Sequence, residues 1–305
     1  MPKTVRALLR LDYPLTPRHS VILFSNKIFC GLPGPILSLR WSTSRQAIEA
    51  KCDSFPSLPS FLYWLTIYTD KLINTTFPVS VVDDKCTPLL DLGQTSVAGV
   101  PGKASKIILE FLSPGGARTG KLLPTGNATD IIHIATGDKT PQLRLSLVDA
   151  TNPTVFIVMS DLLDFLSLPD TSSIDFSLPD ILNTLEIIRQ QGAKLMSLDP
   201  SALAQPKLTI LNPPSLSNPD VDIFVHALSM GVLHKAVPMT VVLCLGVAAR
   251  LKGTLAWEIL EHSRASRIKD AADLITIGHP SGTVDVGTEF EENGDAKSAK
   301  GQGGG

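Results

Sequence analysis

The stretch Val225–Leu251, VHALSMGVLHKAVPMTVVLCLGVAARL, ends in a run from Thr240 to Ala249 that is apolar on nearly every face. A helix with no polar side must be surrounded by protein, so this run predicts a helix at the centre of a fold. The segments on either side supply the material to surround it. Downstream, ITIG and TVDV flank the turn HPSG, His279–Gly282, as two alternating strands would flank a hairpin corner. Upstream, PKLTILNPPS (Pro206–Ser215) reads as a strand with a proline stop, and LPDILNTLEIIRQQGAKLMSL as a helix starting near Pro179 and Asp180, both suited to a first turn. Further upstream, LVDATNPTVFIV (Leu147–Val158) reads as a strand interrupted by its Asn-Pro step.

From Thr69 the short runs INTTFPVSVV and KIILEFL, bounded by VAGVPGK, SPGGARTGK and PTGN, predict strands separated by glycine turns. Residues 1–68 differ. Prolines recur, aromatics cluster at Phe61, Tyr63, Trp64 and Tyr68, and neither helical nor strand periodicity is sustained, which predicts a poorly ordered leader. GDAKSAKGQGGG (Gly294–Gly305) is low-complexity and predicts a flexible tail, part of a disordered segment over 291–305. The expected organisation is therefore a leader over 1–68, a first folded segment over 69–140, a second domain over 141–290, and the tail.

Composition narrows the function classes. With 305 residues, 43% hydrophobic and 18% charged, the chain can bury the cores of two modest domains. A net charge of −2 gives none of the basic surplus that binding to a phosphate backbone exploits, so no nucleic-acid partner is expected. No run reaches the roughly 18–20 uncharged apolar residues of a membrane span: Val21–Leu39 is broken by Lys27 and prolines, and Phe61–Ile67 is too short. Cys30, Cys52, Cys86 and Cys244 are scattered without a CxxC pair, which argues against a zinc knuckle or a disulfide framework and for a reducing compartment. The expected location is cytoplasmic. The basic, acid-poor first forty residues leave a mitochondrial presequence as the alternative.

The ordered series GVPGKASKIILEFLSPGGARTGKLLPTGN, SLVDATNP, LSMGVLHKA, the buried helix and IGHPSGTVDVG resembles the 2-methylaconitate cis-trans isomerase family, which includes methylitaconate and oxalomesaconate isomerases. The resemblance covers about Thr69–Phe290. It implies an α/β (α+β) fold similar to diaminopimelate epimerase: two domains, each a curved sheet or barrel around a central helix, with the active site in the cleft between them and the first domain incomplete in this chain. It also implies allylic proton transfer on a small unsaturated di- or tricarboxylate, with no cofactor and no metal. Such chemistry needs a base within hydrogen-bond reach and fixed donors that hold the carboxylates as charge spreads.

The resemblance implies that Ser281 and Gly282 line the substrate cleft, where a hydroxyl and an unobstructed backbone N–H sit at one turn; the plain alternative is an ordinary hairpin corner. Asn152 in DATNP matches a position at which the related epimerases hold a substrate carboxylate, against the alternative of an Asn-Pro turn bonded to its own backbone. Thr240 stands where the buried helix begins, and backbone N–H groups there favour an anion. Lys121 and Asn127 fall at the presumed crossing between the domains, the lysine with a solvated surface role as its alternative. His234 and His279 are the candidates for general acid or base work, each against a structural hydrogen-bonding role. Cys244 falls inside the buried helix and reads as a small hydrophobe.

Other features depart from the family pattern. The lysine and GNCGN-like cysteine motifs expected in a first domain are absent, and FCGLPG around Cys30 lacks the flanking asparagines. Val241 occupies a position where the family places glycine after the threonine. Two function classes follow. The chain is an isomerase of a 2-methylaconitate-like acid, or it is a catalytically degenerate or truncated member acting as a binding or interaction protein, either as a homo-oligomer or beside a complete relative.

Overall fold

The computed structural model describes residues 4–11, 21–22, 29–30, 50–51, 60–65, 72–82, 85–89, 91–94, 102–134, 140–171, 174–215, 218–265 and 274–291. Most of the expected leader and the glycine-rich tail beyond Glu291 lie outside them. Backbone contacts divide the chain into two compact units, one of Arg6–Ser113 and one of Pro114–Gly305 together with Met1–Val5.

In the first unit, β1 (Thr4–Leu11), from Arg6 onward, enters a sheet completed by β4 (Ala50–Lys51), β5 (Ser60–Leu65), β6 (Leu72–Phe77) and β9 (Ile107–Leu112), in the order β1-β9-β6-β5-β4. All of these neighbours are antiparallel. Two small hairpins accompany it: β2 (Val21–Ile22) with β3 (Phe29–Cys30), and β7 (Val79–Val82) with β8 (Lys85–Pro88). The strands at Thr4–Leu11 and Ser60–Leu65 depart from the expectation for residues 1–68. Neither TVRALLRL nor SFLYWL alternates strictly, so pairing with β9 and β6 decides their conformation where the local pattern does not.

The second unit is built on a sheet in the order β10-β11-β12-β13-β14-β16-β17: β10 (Asp130–His133), β11 (Gln142–Ala150), β12 (Asn152–Val158), β13 (Lys207–Asn212), β14 (Ile223–Ser229), β16 (Leu274–His279) and β17 (Gly282–Glu291). β15 (Val232–His234) hairpins back onto β14. β12 and β13 run parallel, as do β14 and β16, and the remaining neighbours are antiparallel. A parallel pair needs a crossover, and the chain between β12 and β13 supplies one with α1 (Met159–Leu166) and α2 (Pro179–Leu195). Leu145, Leu147, Ile157, Leu208 and Ile210 turn one sheet face toward Leu162 of α1 and Ile188 of α2 and exclude water there.

The opposite face receives α3 (Met239–Ala248), the helix predicted from Thr240 to Ala249, in which every residue from Val241 to Ala248 is buried. A Cβ on Gly246 would lie 2.7 Å from Val286 Cγ2 of β17, so glycine is what lets helix and strand approach this closely. α4 (Leu255–Ala265) follows, and its Leu255 N–H donates to Ser146 Oγ on the same face at 3.0 Å.

LVDATNPTVFIV is two strands rather than one interrupted strand. Thr151 adopts φ +69° between β11 and β12, and the pairing Ala150↔Asn152 makes a tight antiparallel reversal. The break therefore falls before the Asn-Pro step. Pro153 sits within β12, where it faces Asp149. Among the described residues, no helix is long and apolar enough to cross a membrane.

Candidate active site at the start of the central helix

The reversal at Thr151 brings the start of β12 to the start of α3. Thr151 Oγ donates to the Thr240 carbonyl at 2.8 Å, and Asn152 Nδ2 donates to Thr240 Oγ at 3.3 Å. The first N–H groups of a helix have no partner within the helix. Here the Val241 and Val242 N–H groups turn back onto the Pro238 carbonyl at 2.9 and 3.1 Å, while those of Met239 and Thr240 have no such partner among the described residues. Asn152 is 7% exposed, and its Oδ1 is buried without a partner among the described residues. The Asn152 amide, the Thr240 hydroxyl and two open helix N–H groups thus gather at the start of α3, and the open N–H donors there suit a carboxylate. The side chain of Val241 is fully buried, within the core rather than at the exposed end of the helix.

The segment SPGGARTG is fastened against the same reversal. Thr151 N–H donates to the Pro114 carbonyl at 3.1 Å and Gly116 N–H to the Asp149 carbonyl at 2.7 Å. The fully buried Asp149 carboxylate accepts from Arg118 N–H (2.8 Å), Thr119 N–H (2.6 Å) and Thr119 Oγ (2.8 Å). Gly116 takes φ +68°, and a Cβ there would stand 2.6 Å from the Gly120 carbonyl carbon. Only glycine permits so tight a loop. Asp149 therefore positions the loop beside Asn152, a role that the reading of DATNP for its asparagine overlooks.

The HPSG turn is held against Lys235, which lies shortly before Thr240 in the chain. His279 pairs with Gly282 across the hairpin, and Gly282 takes φ +143°, a conformation that requires glycine. Ser281 N–H is shared between the Lys235 carbonyl at 3.1 Å and His279 Nδ1 at 3.2 Å. The Ser281 backbone donor is thus committed to holding the turn. Its Oγ makes no hydrogen bond among the described residues. The connection between Lys235 at this turn and Thr240 at the helix is only Ala236, Val237, Pro238 and Met239, so the two corners belong to one region. Burial pushes the His279 imidazole below its ordinary value, against an opposing hydrogen bond with the Lys235 backbone. His279 accordingly favours the neutral form and serves as acceptor for the turn. His234 is half-buried at the end of β15, opposite Ala227.

Lys121 and Asn127 follow the loop without joining this cluster. Lys121 is exposed, and Asn127 Nδ2 donates to Asp130 Oδ1 at 2.8 Å, which pins its amide locally. Cys244 is fully buried with its Sγ toward the Val148 carbonyl at 3.4 Å, and burial pushes its thiol up to about 12. It is packing rather than a thiolate source. Sequence reasoning also missed Lys207 and Ser229, whose side chains meet at the neighbouring strand ends. The signal available was a lysine at the head of an otherwise apolar strand, PKLTIL.

A family profile described as PrpF protein matches residues 67–301. The 3-methylitaconate isomerase of Eubacterium barkeri is 30% identical over 211 residues, which are 64% of this chain and 52% of that protein. The 2-methyl-aconitate isomerase of Shewanella oneidensis is 31% identical over 225 residues, 67% of this chain and 53% of that protein. The (4E)-oxalomesaconate Delta-isomerase of Novosphingobium sp. is 25% identical over 208 residues, 68% and 53% respectively. The chain thus spans about half the length of the curated relatives it matches. The crystal structure of methylitaconate-delta-isomerase superposes with a TM-score of 0.59 at 26% identity, covering 76% of this chain and 60% of that one. The fold class is the mixed α/β, diaminopimelate epimerase-like one that the sequence led us to expect. A profile match across most of the chain, together with a structural match in the same group of isomerases, makes this chain a member of the PrpF protein family.

Proposed function

We propose that the Pro114–Gly305 unit holds a carboxylate of a small unsaturated polycarboxylic acid at the start of α3, and that the protein isomerises a 2-methylaconitate-like acid by moving a proton across its double bond. The observation that carries this reading is the set of donors at the start of α3: the open Met239 and Thr240 N–H groups beside Thr240 Oγ and Asn152 Nδ2. In this reading the Met239 and Thr240 N–H groups and Thr240 Oγ receive the carboxylate, Asn152 Nδ2 reorients toward it, and Ser281 Oγ donates from the opposite corner. Their fixed positions favour the charge that spreads into the carboxylate as the allylic proton leaves, because the donors need not reorganise when it forms. Gly282 leaves room for the acid at the turn. The names of the relatives, isomerases of methylitaconate, methylaconitate and oxalomesaconate, support the same substrate class.

A second reading, a binding protein without turnover, is favoured by the two groups that tempt a proton-transfer assignment. Cys244 is buried with a raised pKa, and His279 is neutral and holds the turn. Proton NMR of the purified protein with trans-aconitate, 2-methylaconitate and itaconate-type acids in D2O separates the two. Isomerisation with solvent deuterium uptake is the expected result. Binding by calorimetry with no exchange on any of these acids would establish the second reading.

A further inference from the structure

We propose that Lys207 and Ser229 form a second carboxylate-holding position beside the start of α3, one that selects a di- or tricarboxylate over a monocarboxylate. This rests on the carboxylate site proposed above. The placement follows from strand register. Lys207 pairs with Thr154 across the parallel β12/β13 ladder, and Leu208 pairs with Leu228 across β13/β14, which sets Ser229 opposite Lys207. Leu208 and Leu228 belong to the core packed on α1 and α2, so by strand alternation Lys207 and Ser229 turn to the other face, which carries α3. Asn152 lies on the adjacent strand, two residues before Thr154. With strands about 4.8 Å apart and about 3.3 Å per residue, the Cα atoms of Lys207 and Asn152 are roughly 8 Å apart, a separation that a small diacid and a lysine side chain can bridge.

The pair offers a buried cation and a hydroxyl side by side, the chemistry that receives an anion. Lys207 is 8% exposed and its ammonium donates to Ser229 Oγ, a neutral acceptor. An ammonium carries three donors, and among the described residues no carboxylate meets this one. The other charge acting on it is the Arg189 guanidinium, which is of the same sign and is itself occupied by Glu186 and the carbonyls of Pro200, Ala202 and Gln205. Burial and Arg189 together depress the Lys207 pKa, as expected of a cation held from water without a counterion. A substrate carboxylate supplies that counterion and makes the charge-assisted bonds that Ser229 alone cannot.

Titration calorimetry tests the assignment with trans-aconitate, which has three carboxylates, and crotonate, which has one. Lys207→Met should weaken trans-aconitate by about tenfold or more and leave crotonate within about twofold, and Lys207→Arg should recover most of the loss. Equal weakening of both acids, or K207M binding trans-aconitate as tightly as the unaltered protein, would overturn the second position. Thermal melts check that the variants fold. Should K207M not fold, mass spectrometry of the unaltered protein under reductive methylation replaces it. Trans-aconitate should protect Lys207 where crotonate does not, and equal modification with either acid overturns the proposal. If the unaltered protein binds neither acid, the α3 site itself fails and this assignment with it.

Discussion

Asn152 and Arg189 show two ways a buried polar side chain earns its place. Asn152 leaves an oxygen unpaired beside a helix start, at a cost of about 1–3 kcal/mol unless a donor meets it, while its Nδ2 donates to Thr240 Oγ at the proposed carboxylate site. Replacing Asn152 and Ser281 together by alanine should therefore weaken trans-aconitate binding by about tenfold or more while lowering stability little, which calorimetry and a thermal melt check side by side. Arg189 is the opposite case. It is 4% exposed, and its guanidinium meets the carboxylate of Glu186, at 2.6 Å, and three backbone carbonyls that follow α2. Arg189→Met leaves Glu186 half-buried and those carbonyls without donors, so urea unfolding should show a loss of about 3 kcal/mol or more.

At the scale of elements, close approach sets the tolerances. A Cβ on Gly192 of α2 would stand 2.5 Å from Val155 Cγ2 of β12. Alanine in place of glycine gains roughly 1 kcal/mol of helix propensity, but overpacking costs about 1–3 kcal/mol, so Gly192→Ala should be destabilising on balance. Combining it with Val155→Ala should cost less than the two single changes added together, a coupling that a double-mutant cycle measures. The loop at Pro114–Gly120 depends on one carboxylate. Asp149→Asn replaces an acceptor of three hydrogen bonds by an amide with one acceptor oxygen and no charge. Hydrogen exchange at Arg118 and Thr119 should accelerate about tenfold or more, while the amides of β12 and β13 stay protected.

For the whole molecule, the titrating groups set a pH window. His226, held between the Phe176 and Phe224 rings with centroids 5.3 Å away, and His279 both have pKa values lowered by burial. A histidine with a depressed folded pKa binds its proton more readily when unfolded. Its stabilising effect is therefore complete above about 6.5 and is lost as pH falls toward the folded value. The melting temperature should drop between pH 7 and pH 5, and His226→Phe should make that drop shallower. Glu186 is lowered chiefly by its Arg189 hydrogen bonds, so its contribution is present above about 4.5 and is lost below that in a second, more acidic step.

Elements with local or unbroken signals are legible in the residues alone. The run Thr240–Ala249 has no polar face, and it became α3; Pro179–Asp180 opens α2; and Pro280 with Gly282 turns β16 into β17. The polar turn residues of DATNP and HPSG, from which the proposed carboxylate site is built, were legible as well, because hydroxyls, amides and glycines stand out at turns. The tertiary structure decided what strand pairing and burial decide. TVRALLRL and SFLYWL became strands only through their neighbours, and Thr151 rather than the Asn-Pro step took the reversal. It also separated residues that looked alike on paper. Asn152 kept an unpaired oxygen at the helix start while Asn127 turned to Asp130, and Lys121 stayed in solvent while Lys207 was buried against Ser229. The physical reason is that a side chain's chemistry depends on which groups share its low-dielectric surroundings, and those groups come from strands and helices far apart in the chain.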